Sequence, residues 1–142
     1  MEPITAPLAP RIDETRVLVV EDEPTISQIC QRVLSHNGYA VTLACDGQAA
    51  QSRLLIDSFD VCIIDIRTPR MSGEELYEWI LANRPELARG VILTTGDVIS
   101  GDTAKFLATA GRPNLPKPFA PTELLEIVNI VAAGLNNGTN QA

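Results

Sequence analysis

The residues in this chain that could do chemistry stand where its apolar runs stop. Val17-Leu18-Val19-Val20 ends at Glu21 and Asp22, Val61-Cys62-Ile63-Ile64 at Asp65, Val91-Ile92-Leu93 at Thr94 and Thr95, and the weak run Asn114-Leu115 leads to Lys117. If these runs are adjacent strands, carboxylates, a hydroxyl and an ammonium meet at one edge, because open α/β sheets hold ligands beyond the carboxyl ends of their strands. Carboxylates gathered this closely repel, so the cluster requires a cation or partial protonation. A hard divalent ion answers that need. Magnesium keeps several waters and takes one or two carboxylates plus a phosphoryl oxygen, which matches Asp22 and Asp65 receiving a phosphoryl group. Lys117 would offset further charge.

The elements that must position these groups follow from the pattern between them. Val17–Val20, Ala40–Ala44, Val61–Ile64, Val91–Leu93 and Asn114–Leu115 are short and apolar, as strands buried on both faces are. Ile26, Ile29, Cys30, Val33 and Leu34 recur at helical spacing, with Pro24 suited to the first turn and Gly38 to the C-terminal cap. Further helices are expected over 47–56, 73–82, 102–110 and 121–133. Strand and helix thus alternate five times, which implies right-handed crossovers and a mainly parallel sheet between helices, an α/β fold.

Length and charge narrow the function. A chain of 142 residues suits one domain. We expect a Pro-rich flexible leader over 1–14, marked by Pro3, Pro7 and Pro10, a domain over 15–134, and a small, polar, flexible tail over 135–142. A net charge of -7 disfavours phosphate backbones and anionic membrane surfaces, so no direct nucleic-acid or membrane contact is expected. Cys30, Cys45 and Cys62 lack metal or disulfide spacing and read as reduced, small hydrophobes, in keeping with a cytoplasmic protein. No apolar run reaches the length of a membrane span.

The chain resembles the receiver domains of bacterial response regulators and hybrid histidine kinases. The matching segments are V-L-V-V-E-D-E-P at 17–24, D-V-C-I-I-D-I-R-T-P-R-M-S-G at 60–73, V-I-L-T-T-G-D at 91–97 and L-P-K-P-F at 115–119. The resemblance implies a doubly wound, flavodoxin-like sheet of five parallel strands in the order 2-1-3-4-5 with five helices. It implies that Asp65 accepts a phosphoryl group from the phosphohistidine of a histidine kinase or histidine phosphotransfer domain. Asp22, Asp65 and the backbone carbonyl of Arg67 would ligate Mg2+, with Glu21 acting through water. Thr95 and Lys117 would contact the phosphoryl group. Such a domain catalyses its own phosphorylation and dephosphorylation without being a conventional enzyme. A cis peptide between Lys117 and Pro118 is also implied. Separately, Ile127 and Ile130 lie partly off the face of Leu124, Val128 and Val131, and a homodimer is among the expected partners. The segment from Phe106 to Phe119 is similar to C-terminal receivers of hybrid kinases.

Other readings compete. A pseudo-receiver would bind partners without phosphoryl transfer, and the full set Glu21, Asp22, Asp65, Thr95 and Lys117 argues against it. A flavin carrier would show a Ser/Thr/Gly-rich loop where E-D-E-P stands, and an aspartyl phosphatase a second aspartate where Arg67 stands. An aspartate after a strand also caps helices and turns, but Glu21, Asp22 and Lys117 favour chemistry at Asp65. Of the two hydroxyls, Thr95 is favoured because it directly precedes small Gly96, as the hydroxyl residue precedes Ala or Gly in the family that the chain resembles. His36 lacks a reactive neighbour, and Tyr77 and Trp79 read as packing and surface residues rather than a ligand-stacking platform. Arg67 and Asp97 stand two residues after Asp65 and Thr95, positions that by resemblance control access of hydrolytic water, and their opposite charges would pair across the site mouth and slow hydrolysis. Asn114 stands where many receivers carry an aromatic switch residue, so that device is absent, and an amide there loses hydrogen bonds on burial.

Overall fold

A computed structural model of the chain describes residues 14–96 and 101–141. The leader over 1–13 and Asp97 lie outside the described residues. Strands β1 (Arg16–Val20), β2 (Ala40–Ala44), β3 (Val61–Asp65), β4 (Val91–Thr95) and β5 (Asn114–Pro116) form one sheet in the order β2-β1-β3-β4-β5. All neighbours are parallel. The helices are α1 (Pro24–His36), α2 (Gly47–Ile56), α3 (Gly73–Asn83), α4 (Pro85–Ala88), α5 (Gly101–Ala110) and α6 (Pro121–Gln141). The α/β class is the one the alternating pattern predicts, and the doubly wound strand order is the one the resemblance implies.

Alternation along the strands splits the core in two. Leu18, Val20, Cys62, Ile64, Val91 and Leu93 face α2, α3 and α5, where Leu54, Leu76 and Ile80 close over them. Val17, Val19, Val61, Ile63, Ile92 and Leu115 face the other way, against Cys30 and Leu34 of α1 and Leu124 and Val128 of α6. Each fully buried Leu, Ile or Val contributes about 1.5–3 kcal/mol, so continuous apolar runs are what hold a two-sided sheet.

Local chemistry sets the helix ends. Pro24 occupies the first turn of α1, and Gly38 follows its end at φ +92°, a left-handed conformation that glycine adopts without Cβ strain. Asp46 caps α2 by accepting from the Ala49 amide at 2.7 Å. Ser72 and Glu75 form a reciprocal capping box at the start of α3.

Two helical features differ from expectation. The single turn α4 is an additional helix; it buries only Leu87, too little apolar periodicity to be seen in the sequence. α6 continues past Ala133 to Gln141, through a small polar stretch with no apolar stripe and no proline to end it.

Tyr77 is buried edge-to-face on Phe106 at 6.0 Å, and Trp79 lies half-buried under the Arg84 guanidinium, so both serve packing. His36 is exposed at the end of α1. Cys30 and Cys62 are buried, and burial pushes the Cys30 thiol up to about 11, but Cys45 is exposed and is no core hydrophobe. Among the described residues no helix is long and apolar enough to cross a membrane.

Candidate functional site

The carboxyl ends of β1 and β3 are the switch point of this sheet, where the chain leaves in opposite directions. β3 places Asp65 as its last residue with only 4% of its surface exposed. Glu21, also buried, and exposed Asp22 follow β1 directly. Oxygens of Glu21, Asp22 and Asp65 all lie within 4.8 Å of one another, so the three sequence candidates do meet. That set consists of hard oxygen donors and suits a hard divalent cation.

Lys117 arrives from the end of β5, where its amide donates to the Thr95 carbonyl at 2.9 Å. The Lys117–Pro118 peptide is cis, as the resemblance implies. Its ammonium Nζ lies 2.8 Å from Asp65 Oδ2, 2.9 Å from Glu21 Oε1 and 3.7 Å from Glu23 Oε1. The other oxygens are engaged as well: Arg67 N–H donates to Asp65 Oδ1 at 3.0 Å and Glu23 N–H to Glu21 Oε2 at 3.1 Å.

Electrostatics follow from this packing. Burial, with the Asp65 charge adding to it, holds the Glu21 carboxyl above its ordinary value, against the opposing pull of Lys117 and the Glu23 N–H. Burial works against the charge on Lys117, but the hydrogen bonds it donates to Asp65 and Glu21, and their negative charges, outweigh burial and hold the ammonium above the ordinary lysine range. One firmly charged ammonium thus serves two buried carboxylates. Beside them opens a pocket of about 560 Å3, lined among others by Asp22, Asp65, Arg67, Gly96 and Lys117.

The threonines divide between the faces. Thr94 is the register partner of Asp65 and shares the face of Ile92, whereas Thr95 shares the face of Leu93, toward α5. Both are buried, and Gly96, next after Thr95, lines the pocket. Asn114 lies on the face of Leu93, its register partner, and its Oδ1 is buried without a hydrogen-bond partner, as an amide in an apolar slot would be. Asp97, the expected partner of Arg67, lies outside the described residues. Sequence reasoning missed Glu23 as a further carboxylate near Lys117; the run E-D-E-P carried that signal.

Comparison with known proteins fits this geometry. The family model described as "Response regulator receiver domain" matches residues 17–129. The response regulator MprA of Mycolicibacterium vanbaalenii is 37% identical over 110 residues, covering 78% of this chain and 47% of the relative. MprA of Mycobacterium tuberculosis strain H37Rv matches to the same extent, so this chain spans about half the length of these relatives, 47%. A CheY-like response regulator receiver domain protein from Methanospirillum hungatei has a similar structure, with a TM-score of 0.80 at 27% identity, covering 88% of this chain and 98% of that one. The signal receiver domain of a signal transduction histidine kinase from Syntrophus aciditrophicus gives 0.76 at 26% identity, covering 84% and 91% of the two chains. With the switch-point carboxylates, the lysine at the end of β5 and the family match over 17–129 all in place, the chain belongs to the response regulator receiver domains.

Proposed function

We propose that this receiver domain is a phosphoacceptor in a two-component relay, taking a phosphoryl group from a phosphohistidine onto Asp65. The observation that carries this reading is the Asp65 carboxylate, buried at the end of β3 and touched by Lys117 at 2.8 Å, with two further carboxylates within 4.8 Å. A carboxylate oxygen of Asp65 forms the new O–P bond as the N–P bond breaks, and the imidazole of the donor leaves with the electron pair. The donor protein is a histidine kinase or a histidine phosphotransfer domain.

Phosphoryl transfer asks little covalent chemistry of a protein and much positioning. Lys117 holds Asp65 in place before transfer and then faces the phosphoryl oxygens with a fixed positive charge. The Arg67 N–H fixes the other Asp65 oxygen, and the Thr95 hydroxyl donates to the phosphoryl group. The hard-oxygen cluster fits Mg2+, which Asp22, Asp65 and the Arg67 carbonyl would hold, with Glu21 acting through water. When bound, the ion supplies positive charge to the charge developing on the phosphoryl oxygens. Slow hydrolysis then resets the domain.

The raised Glu21 carboxyl gives this reading a pH signature. Its folded value lies above the ordinary 4.5, so its favourable contribution to stability is complete below about 4.5 and is lost as pH rises through the folded value. Ionised Glu21 adds the charge that draws a cation. Titration calorimetry with MgCl2 is therefore expected to show affinity falling as pH drops from 7 toward 5, and Asp22→Asn losing most of it at both values. Equal affinity for wild type and Asp22→Asn would refute the magnesium reading.

A further inference from the structure

The loop after Asp65 is held in an unfavourable shape by groups that the transfer chemistry does not use. Met71 N–H donates to Pro69 O at 2.8 Å, and Arg70 between them sits at φ +70°. That is a γ-turn of the rare, strained hand, with an arginine where glycine would be easier. Thr68 Oγ1 donates to Met71 O at 2.6 Å, and Gly73 N–H closes the loop onto Ile66 O at 2.9 Å.

The start of α2 clasps this loop from the side. A Cβ on Gly47 would stand 2.0 Å from Met71 O, so the two backbones touch with no room for a side chain. Next to it, buried Asp46 divides its oxygens: Oδ1 caps α2 through Ala49 N–H, and Oδ2 faces Arg70 Nε at 3.5 Å. The loop so held carries Arg67, whose N–H is fixed on Asp65 and whose carbonyl is assigned above to the cation.

We propose that Asp46 and Arg70 are positioning residues: their ion pair holds the strained turn against α2 and so keeps the Arg67 backbone set for the divalent cation. This rests on the phosphoacceptor reading. Arg70 is exposed on 66% of its side chain, so its replacement leaves the core untouched. A pair with one partner this exposed is worth a roughly two- to fivefold change in an equilibrium.

Charge alone and the clamp give opposite signs for Arg70→Ala. Removing a cation near a divalent site strengthens Mg2+ binding by simple Coulomb attraction, whereas loosening the loop weakens it. MgCl2 titrations of the whole chain, followed by the backbone amide shifts of Arg67, separate the two. The clamp predicts that Arg70→Ala binds Mg2+ roughly two- to fivefold more weakly at an unchanged melting temperature, and that Arg70→Lys recovers most of the loss. Asp46→Asn, which keeps the helix cap, is expected to weaken binding too, with the double variant no weaker than the weaker single. Arg70→Ala binding as tightly as wild type, or tighter, while Asp22→Asn still loses the ion, would overturn this inference alone. Loss of discrimination at Asp22 as well would overturn the phosphoacceptor reading with it.

Discussion

Lys117→Met is expected to slow phosphoryl uptake severely and to destabilise the magnesium-free domain at neutral pH. The Lys117 ammonium is the shared partner of Asp65 at 2.8 Å and Glu21 at 2.9 Å, with only 12% of its side chain exposed. Without it two buried carboxylates are left facing each other. Breaking a buried pair by removing one partner costs about 3–5 kcal/mol, because the charge left behind is uncompensated. The domain has two ways to recover, and both are measurable. Lowering the pH protonates Glu21, whose folded value is already raised and rises further once Lys117 is gone, so stability returns as pH falls through that value. Adding Mg2+ supplies a replacement charge and stabilises by mass action. Thermal melts at pH 5 and pH 7, with and without MgCl2, check this; a variant as stable as wild type at pH 7 without the ion would mean that Lys117 does not hold the carboxylates. The rate of phosphorylation is expected to fall by about 10²–10³ even with saturating Mg2+, as on removal of one fixed donor aimed at developing charge.

Gly90→Ala carries the largest stability effect expected away from the site. Gly90 enters β4 so close to β3 that a Cβ would lie 2.0 Å from Asp60 O and 3.2 Å from Val61 Cα. Both are backbone atoms, one just before and one at the start of the strand that delivers Asp65, and the Cys62 amide already donates to Gly90 O at 2.9 Å. No side chain can turn aside to make room, so β3 and β4 must part at this end. Overpacking costs about 1–3 kcal/mol where side chains can yield, and about 3 kcal/mol or more is expected where only backbone can. That corresponds to a melting temperature lower by roughly 10 °C for a domain of this size, readable by circular dichroism. A shift within one or two degrees would show that the strands are not packed this closely.

The sheet was legible in the sequence because each of its central strands is buried on both faces and therefore appears as an unbroken apolar run. Strand ends extended beyond those runs where polar residues keep the ladder: Asp65 and Thr94 pair in register although neither is apolar. α4 was not legible, since one buried leucine sets no period, and the length of α6 was not legible, since its last residues carry no stripe. At the site, Glu21, Asp22, Asp65 and Lys117 could be found because residue type and strand-end position coincide. Glu23 and the Asp46–Arg70 pair could not. Their contacts depend on how loops turn after different strands, and nothing in local spacing records that Arg70 bends back at positive φ toward α2. Asn114 was legible as a departure, and its unpartnered Oδ1 gives that departure a physical form: the face toward α5 holds a buried acceptor where an aromatic ring would leave none.

The central claim is that Asp65 accepts the phosphoryl group with the help of a divalent ion. Intact-protein mass spectrometry after incubation with acetyl phosphate tests it most directly, comparing wild type with Asp65→Asn in the presence of MgCl2 or of a chelator. We expect wild type to gain one phosphoryl mass only with Mg2+, and Asp65→Asn to gain none under either condition. Equal gain by Asp65→Asn, or none by wild type even when beryllofluoride and Mg2+ are also shown to leave its amide spectrum unmoved, would contradict the account and leave a domain that keeps the receiver fold for binding alone.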